Sequence, residues 1–150
     1  MTSTGATAGA DRLRAAGLRV TAGRVAALEA LEVRSHVTAD ELQREVASHV
    51  PMTLQAVYLM LQTLTDHDLV RRIEPAGSPA RYEVRVGDNH HHLVCERCAR
   101  IVDVDCDSDV VPCLLPTATH GFRVREAEVT FWGVCPECAA AAAEEEEGAV

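Results

Sequence analysis

Two cysteine pairs, Cys95-Glu-Arg-Cys98 and Cys135-Pro-Glu-Cys138, each set two thiols on one tight turn, with 36 residues (99 to 134) between them. Four thiolates from paired turns complete a tetrahedral shell for Zn(II). Such an ion clips the beginning of a small domain to its end, and structural zinc is worth on the order of 10 kcal/mol in small peptides. The competing chemistry is thiol exchange by either pair, as in a C-x-x-C thiol oxidoreductase. That chemistry goes with a βαβ pattern around the motif, which neither pair has. Cys106 and Cys113 fall outside the pairs and read either as buried apolar residues or as thiols that oxidise.

A second donor set is built from nitrogen and oxygen. In an extended run His90-His91-His92, His90 and His92 project to one face and His91 to the other. Glu83 before this run and Asp103 after the first cysteine pair supply oxygens, and His36 stands farther upstream. Each has an ordinary structural reading alone, as a surface charge or a helix-end residue. Together they form a mixed site suited to Fe(II) or Mn(II), with Zn(II) or Ni(II) as alternatives. Because these residues come from both halves of the chain, one ion holding them fixes the orientation of the halves and acts as a switch.

The elements that must position these groups fit within 150 residues, one ordinary domain or two small ones. Only 3% of residues are aromatic, so the cores are aliphatic. Net charge is -9 and every basic residue is Arg, which argues against indiscriminate polyanion binding. The charge is uneven: residues 1 to 84 carry 9 Arg against 10 acids, whereas residues 85 to 150 carry 5 against 13. A nucleic-acid partner belongs to the first half. No basic leader and no run of about 18 apolar residues occurs, so the chain reads as cytoplasmic with no membrane partner.

In the first half, Asp11 can cap a short helix ending at Gly17, and Thr21 opens a second with Val25, Leu28 and Leu31 at helical spacing. Thr38 and Glu41 form a capping box for a third, which buries Leu42 and Val46. Thr53 caps a fourth, with Val57, Leu61 and Leu64 inside and Thr53, Leu54, Gln55, Tyr58 and Gln62 nearer solvent. Leu69 to Ile73 and Arg81 to Val84 read as a hairpin around a Pro and Gly turn, with Arg71, Arg72 and Arg81 on it. Helices followed by such a hairpin make a winged helix-turn-helix over 11–84.

Residues 85–89 form the hinge, and 90–139 read as a small α+β metal-binding domain. Its expected strands are His92 to Val94, Ile101 to Val104 and Phe122 to Trp132, with one helix in Ser108 to Leu115. The ends, 1–10 and 140–150, are small-residue and acidic stretches that read as flexible tails.

Over Leu13 to Cys138 the chain resembles the ferric uptake regulator (Fur) family. The carrying pieces are Gly-Leu-Arg-Val-Thr at 17 to 21 with Arg24, Thr-Ala-Asp-Glu-Leu at 38 to 42, Ala-Val-Tyr at 56 to 58, Gly-Asp-Asn-His-His-His at 87 to 92, and the two cysteine pairs. The resemblance implies an N-terminal winged helix followed by a C-terminal α+β dimerisation domain, hence a homodimer. It implies Cys95, Cys98, Cys135 and Cys138 as structural zinc ligands, and His36, Glu83, His90, His92 and Asp103 as the regulatory site. Three departures stand out: Leu59 where relatives often carry Arg, Ala22 and Gly23 before Arg24, and no basic residue in Met52 to Leu54.

Cys106 and Cys113, the stretch Val-Gly-Asp-Asn-His-His-His at 86 to 92 and the run Glu-Ala-Glu-Val-Thr-Phe-Trp-Gly at 126 to 133 look like the actinobacterial branch that represses catalase-peroxidase genes. The function so implied is a metal-dependent, peroxide-responsive repressor of catalase-peroxidase and of its own gene, acting on a double-stranded DNA operator. The alternatives are an iron-responsive repressor of metal uptake and, from another class, the thiol oxidoreductase. Thr53, Gln55 and Tyr58 are the expected groove contacts; Arg19, Arg24, Arg71, Arg72 and Arg81 are the expected phosphate contacts. Peroxide can oxidise His36 or His90 through hinge Fe(II), or attack the zinc thiolates.

Overall fold

The computed structural model describes residues 3–88, 90–106 and 114–147, and the chain divides into two compact units, Met1–Gly87 and Asp88–Val150. The first unit runs α1 (Ser3–Ala15), α2 (Ala22–Val33), β1 (Val37–Thr38), α3 (Ala39–Ala47), α4 (Leu54–Asp66), β2 (Arg71–Ile73) and β3 (Arg81–Glu83). Its strands form an antiparallel sheet in the order β1-β3-β2. This is a winged helix.

Local chemistry sets the helix starts. Thr21 accepts the Arg24 N–H and opens α2; Thr53 accepts the Ala56 N–H and opens α4. At α3 the box is complete: Thr38 Oγ1 accepts the Glu41 N–H, and the Glu41 carboxylate accepts the Thr38 N–H at 2.8 Å. Gly17, at φ +72°, ends α1 in the left-handed conformation that a side chain resists. The apolar stripes then converge: Leu13, Leu28, Leu31, Leu42, Val57, Leu61 and Leu64 are buried in one core with Val37, Leu69, Val70 and Tyr82.

The second unit runs β4 (His90–Cys95), β5 (Ile101–Asp105), β6 (Thr130–Gly133) and α5 (Pro136–Glu147). The sheet order is β5-β4-β6, with β4 antiparallel to β5 and parallel to β6. Its buried apolar side chains among the described residues are Val94 and Cys95. The whole fold is α+β, and no helix of the described residues is long and apolar enough to cross a membrane.

Several expectations are corrected. Ser3–Ala10 belongs to α1, and Asp11 lies inside that helix, paired with Arg14 at 2.7 Å instead of capping. Gly9 is buried against α2: a Cβ there would meet Val25 at 3.8 Å. The alanine-rich C-terminal segment is likewise helical through Glu147. Alanine's helix propensity and, for α1, packing outweigh the disorder inferred from composition. The Phe122 to Trp132 strand shrinks to Thr130–Gly133, the stretch that β4 can pair from His92 to Cys95. Leu69 and Val70 are buried ahead of β2, not part of it, and β1 was not anticipated. The Ser108 to Leu115 helix falls mostly outside the described residues, as does Cys113; Leu114 and Leu115 are not helical.

Candidate metal centres and nucleic-acid face

In the second unit, β4 ends at Cys95 and turns through Glu96 to Cys98, closed by the Ala99 N–H donating to the Cys95 carbonyl at 2.9 Å. Ala99 adopts φ +59° to make that turn. Cys135 precedes α5 and Cys138 sits in its first turn. The parallel pairing of β4 with β6, in register at Cys95 and Gly133, brings the two turns together. The Glu96 N–H donates to the Gly133 carbonyl at 2.8 Å, and Arg100 pairs with Glu137 at 2.8 Å across the turns.

All four sulfurs lie within 4.8 Å of one another, and Cys98 and Cys135 Sγ are 3.8 Å apart. A tetrahedral zinc with bonds of about 2.3 Å places its sulfurs about 3.8 Å apart, so the donor set fits Zn(II). Electrostatics favour the same occupant. Backbone N–H groups of Cys135 and Cys98 lower the Cys95 thiol to about 6. Cys138, hydrogen-bonded to the sulfurs of Cys135 and Cys98, is pushed up to about 12. Four crowded sulfurs do not all ionise without a cation among them. The pairs form one cluster, which displaces the reading as two independent redox motifs.

The nitrogen and oxygen donors are built on both units. Within the first, His36 precedes β1 at φ +60°, a strained conformation for a non-glycine residue. Arg81 Nη1 donates to the His36 carbonyl at 3.1 Å, and β1 pairs with β3 through Val37–Tyr82 and Thr38–Arg81. That frame sets His36 Nε2 3.0 Å from Oε2 of Glu83, a fully buried carboxylate at the end of β3.

Within the second unit, His92 pairs in register with Asp103 on β5. Nε2 of His92 and of His90 lie 3.6 and 3.9 Å from Asp103 Oδ1. Asp88 Oδ1 sits 2.6 Å from His90 Nδ1, which holds the proton on that nitrogen and turns Nε2 toward Asp103. The two rings meet edge to face with centroids 4.9 Å apart. Two ring nitrogens converging on one carboxylate oxygen are donor types that hold a divalent ion. His91 is buried as well, in register with Val104.

On the first unit, Gln55 and Tyr58 of α4 and Arg72 of β2 line one groove of about 550 Å³ together with Leu54, Leu59, Gln62, Thr65 and Tyr82. Thr53 caps α4 with its hydroxyl. Arg72 pairs with Glu74 at 2.7 Å, and Arg24 Nη1 donates to the Arg19 carbonyl at 2.8 Å. Arg81 is committed to the His36 carbonyl, and Arg71 is half-buried on β2 away from the groove lining. The segment leading into α4 explains Gly23: a Cβ there would come within 2.9 Å of Met52 Sδ.

Sequence reasoning missed Asp88 and the Arg100–Glu137 pair. Asp88 was legible as a carboxylate two residues before a candidate ligand; the Arg100–Glu137 pair depends on the β4–β6 register.

Comparison with known proteins agrees with this architecture. The Ferric uptake regulator family model matches residues 15–132. The "Transcriptional regulator FurA" of Mycobacterium tuberculosis is 50% identical over 130 residues, covering 86% of this chain and 88% of that protein. The "Peroxide-responsive repressor PerR" of Staphylococcus epidermidis is 33% identical over 129 residues, covering 84% and 85%. The solved Helicobacter pylori ferric uptake regulator, at 18% identity, superposes with a TM-score of 0.68 over 89% of this chain and 93% of its own, which establishes a common fold. The chain therefore belongs to the ferric uptake regulator family, whose members are metal-responsive transcriptional regulators and not enzymes.

Proposed function

We propose that this protein is a metal-dependent, peroxide-responsive repressor that acts in the cytoplasm as a homodimer on double-stranded DNA, with catalase-peroxidase and its own gene as targets. The observation that carries the reading is the presence of two chemically distinct donor types in one chain, four sulfurs in one cluster and imidazole beside carboxylate within each unit, His36 with Glu83 and His92 with Asp103. Zn(II) belongs to Cys95, Cys98, Cys135 and Cys138. Fe(II) or Mn(II) belongs to His36 and Glu83 of the first unit with His90, His92 and Asp103 of the second. Holding ligands from both units, the ion selects the posture that binds the operator, and DNA strengthens metal binding by the same factor.

Gln55, Tyr58 and Thr53 face the bases, while Arg19, Arg24, Arg71 and Arg72 serve the phosphates. Arg81 serves chiefly to hold His36. The second copy covers a row of exposed apolar residues, Val102, Leu93 and Phe131, that are neighbours across the β5-β4-β6 sheet. Similarity to a protein named for its response to peroxide supports the redox sense. The family's name supports the second reading, control by iron of metal uptake.

The test is a DNA-binding titration of the zinc-loaded protein on its own promoter and that of catalase-peroxidase, with Fe(II), Mn(II), Ni(II) and added Zn(II), before and after peroxide. The expected result is metal-dependent binding that peroxide abolishes, with one oxygen added to a His36 or His90 peptide, or with zinc lost and disulfides formed. Binding that responds to metal but not to peroxide favours the iron-uptake reading. Affinity that no metal alters refutes the assignment of His36, Glu83, His90, His92 and Asp103.

A further inference from the structure

The helix assigned to the DNA major groove has an unusual surface. At about 100° per residue, Leu54, Gln55, Tyr58, Leu59 and Gln62 occupy an arc of about 140° on α4, opposite the arc that buries Val57, Met60, Leu61 and Leu64. The first arc is solvent-exposed, and it is apolar where nucleic-acid faces are ordinarily cationic. Among the described residues of the first unit, the exposed large apolar side chains are Val33, Leu54, Tyr58 and Leu59, and three of these share this arc; Leu59 is 65% exposed.

From Leu54 to Asp66 the helix carries no Arg or Lys. The cation lining the adjoining groove is Arg72, held by Glu74 at 2.7 Å. Gln62 donates its amide to Asp66 at 2.8 Å. Guanine is read in the major groove chiefly by a bidentate Arg or Lys at O6 and N7, and α4 itself offers no such group. An apolar side chain has a different mark to read, the 5-methyl of thymine, and a free Gln amide pairs with adenine N6 and N7.

We propose that Leu59 is a specificity-determining residue of α4 and the principal reader of a thymine methyl, with Leu54 and Tyr58 packing on neighbouring methyls and Gln55 on adenine; the helix makes no guanine contact. This inference rests on the proposed function as a DNA-binding repressor and names what its reading helix recognises.

The test separates the two claims. The full-length, zinc-loaded and Mn(II)-loaded protein selects duplexes from a random-sequence library. The selected duplex is then remade with single thymines replaced by deoxyuridine, which removes only the methyl. Substitution at a contacted thymine should weaken binding about fourfold, the value of one buried methyl-sized group. Leu59→Ala should bind the uracil and thymine duplexes alike while keeping its salt dependence, because phosphate contacts are untouched. Leu59→Arg should select guanine at the same position. Leu59 is exposed, so neither change opens the core. If the wild-type protein enriches no duplex, the DNA-binding reading fails and takes this inference with it. If it enriches a duplex but deoxyuridine has no effect at any position, or invariant guanines facing α4 emerge, the inference alone is overturned.

Discussion

The two units solve the problem of stability differently. The winged helix buries a continuous aliphatic core from Leu13 to Tyr82, whereas the described part of the second unit buries Val94, Cys95 and three histidines, leaving Leu93, Val102, Phe131 and Trp132 exposed. At about 25 cal/mol per Å² of apolar surface removed from water, that core is the main source of stability of the first unit. The second has little such surface to draw on, and ties its ends through four convergent sulfurs instead. A domain whose integrity depends on bound metal couples folding to metal supply; a domain with an apolar core does not.

The largest expected effect breaks the comparison at its metal side. Cys135→Ala or strong chelation should remove zinc worth on the order of 10 kcal/mol. Amide exchange followed peptide by peptide should then show the second unit losing protection while α2, α3 and α4 keep theirs. Equal loss in both units would contradict the contrast. Next, Leu61→Ala should destabilise the winged helix by about 2–5 kcal/mol in urea unfolding with zinc stoichiometry unchanged. Leu93→Asp on the exposed row of the β sheet should weaken self-association by about 1–2 kcal/mol per protomer, read by sedimentation, without altering zinc content.

Smaller effects sharpen the picture of the first unit. Thr38→Ala should cost about 1 kcal/mol by opening the α3 capping box. The same box has a pH signature. The Thr38 backbone N–H bonded to its carboxylate holds Glu41 below the ordinary value of 4.5. A depressed carboxylate contributes stability that is present above its unfolded pKa and lost as pH falls through the folded one. Stability of the first unit should therefore decline below pH 4.5, and Glu41→Gln should flatten that decline. An unchanged slope in the Glu41→Gln variant would refute the linkage.

What could be read from the chain alone follows the range of the forces involved. Thr21, Thr38 and Thr53 announce helix starts because a cap involves residues three apart, and the Val57, Leu61 and Leu64 stripe announces its buried face by periodicity. The cysteine pairs were legible for the same reason. β1 has two residues and exists through its pairing with β3, a partner more than 40 positions away. The alternation from Phe122 onward looked like a long strand, but β6 extends only as far as β4 can partner it. At the second donor set the residue types were visible, while the strain at His36 and the role of Arg81 in holding its carbonyl required the sheet.

The β4–β6 pairing also bears on biogenesis. Cys95 lies in register with Gly133, so the sheet of the second unit has no final strand until the ribosome has released residues beyond 133, and the last two thiols follow immediately after. Amino-terminal domains generally fold first during synthesis, and parallel pairings across long loops close slowly. A nascent chain thus carries a finished winged helix while its last strand and thiols are still to come, and zinc capture waits for them. Without zinc, the second unit of the finished chain lacks the tie between its first strand and its last helix.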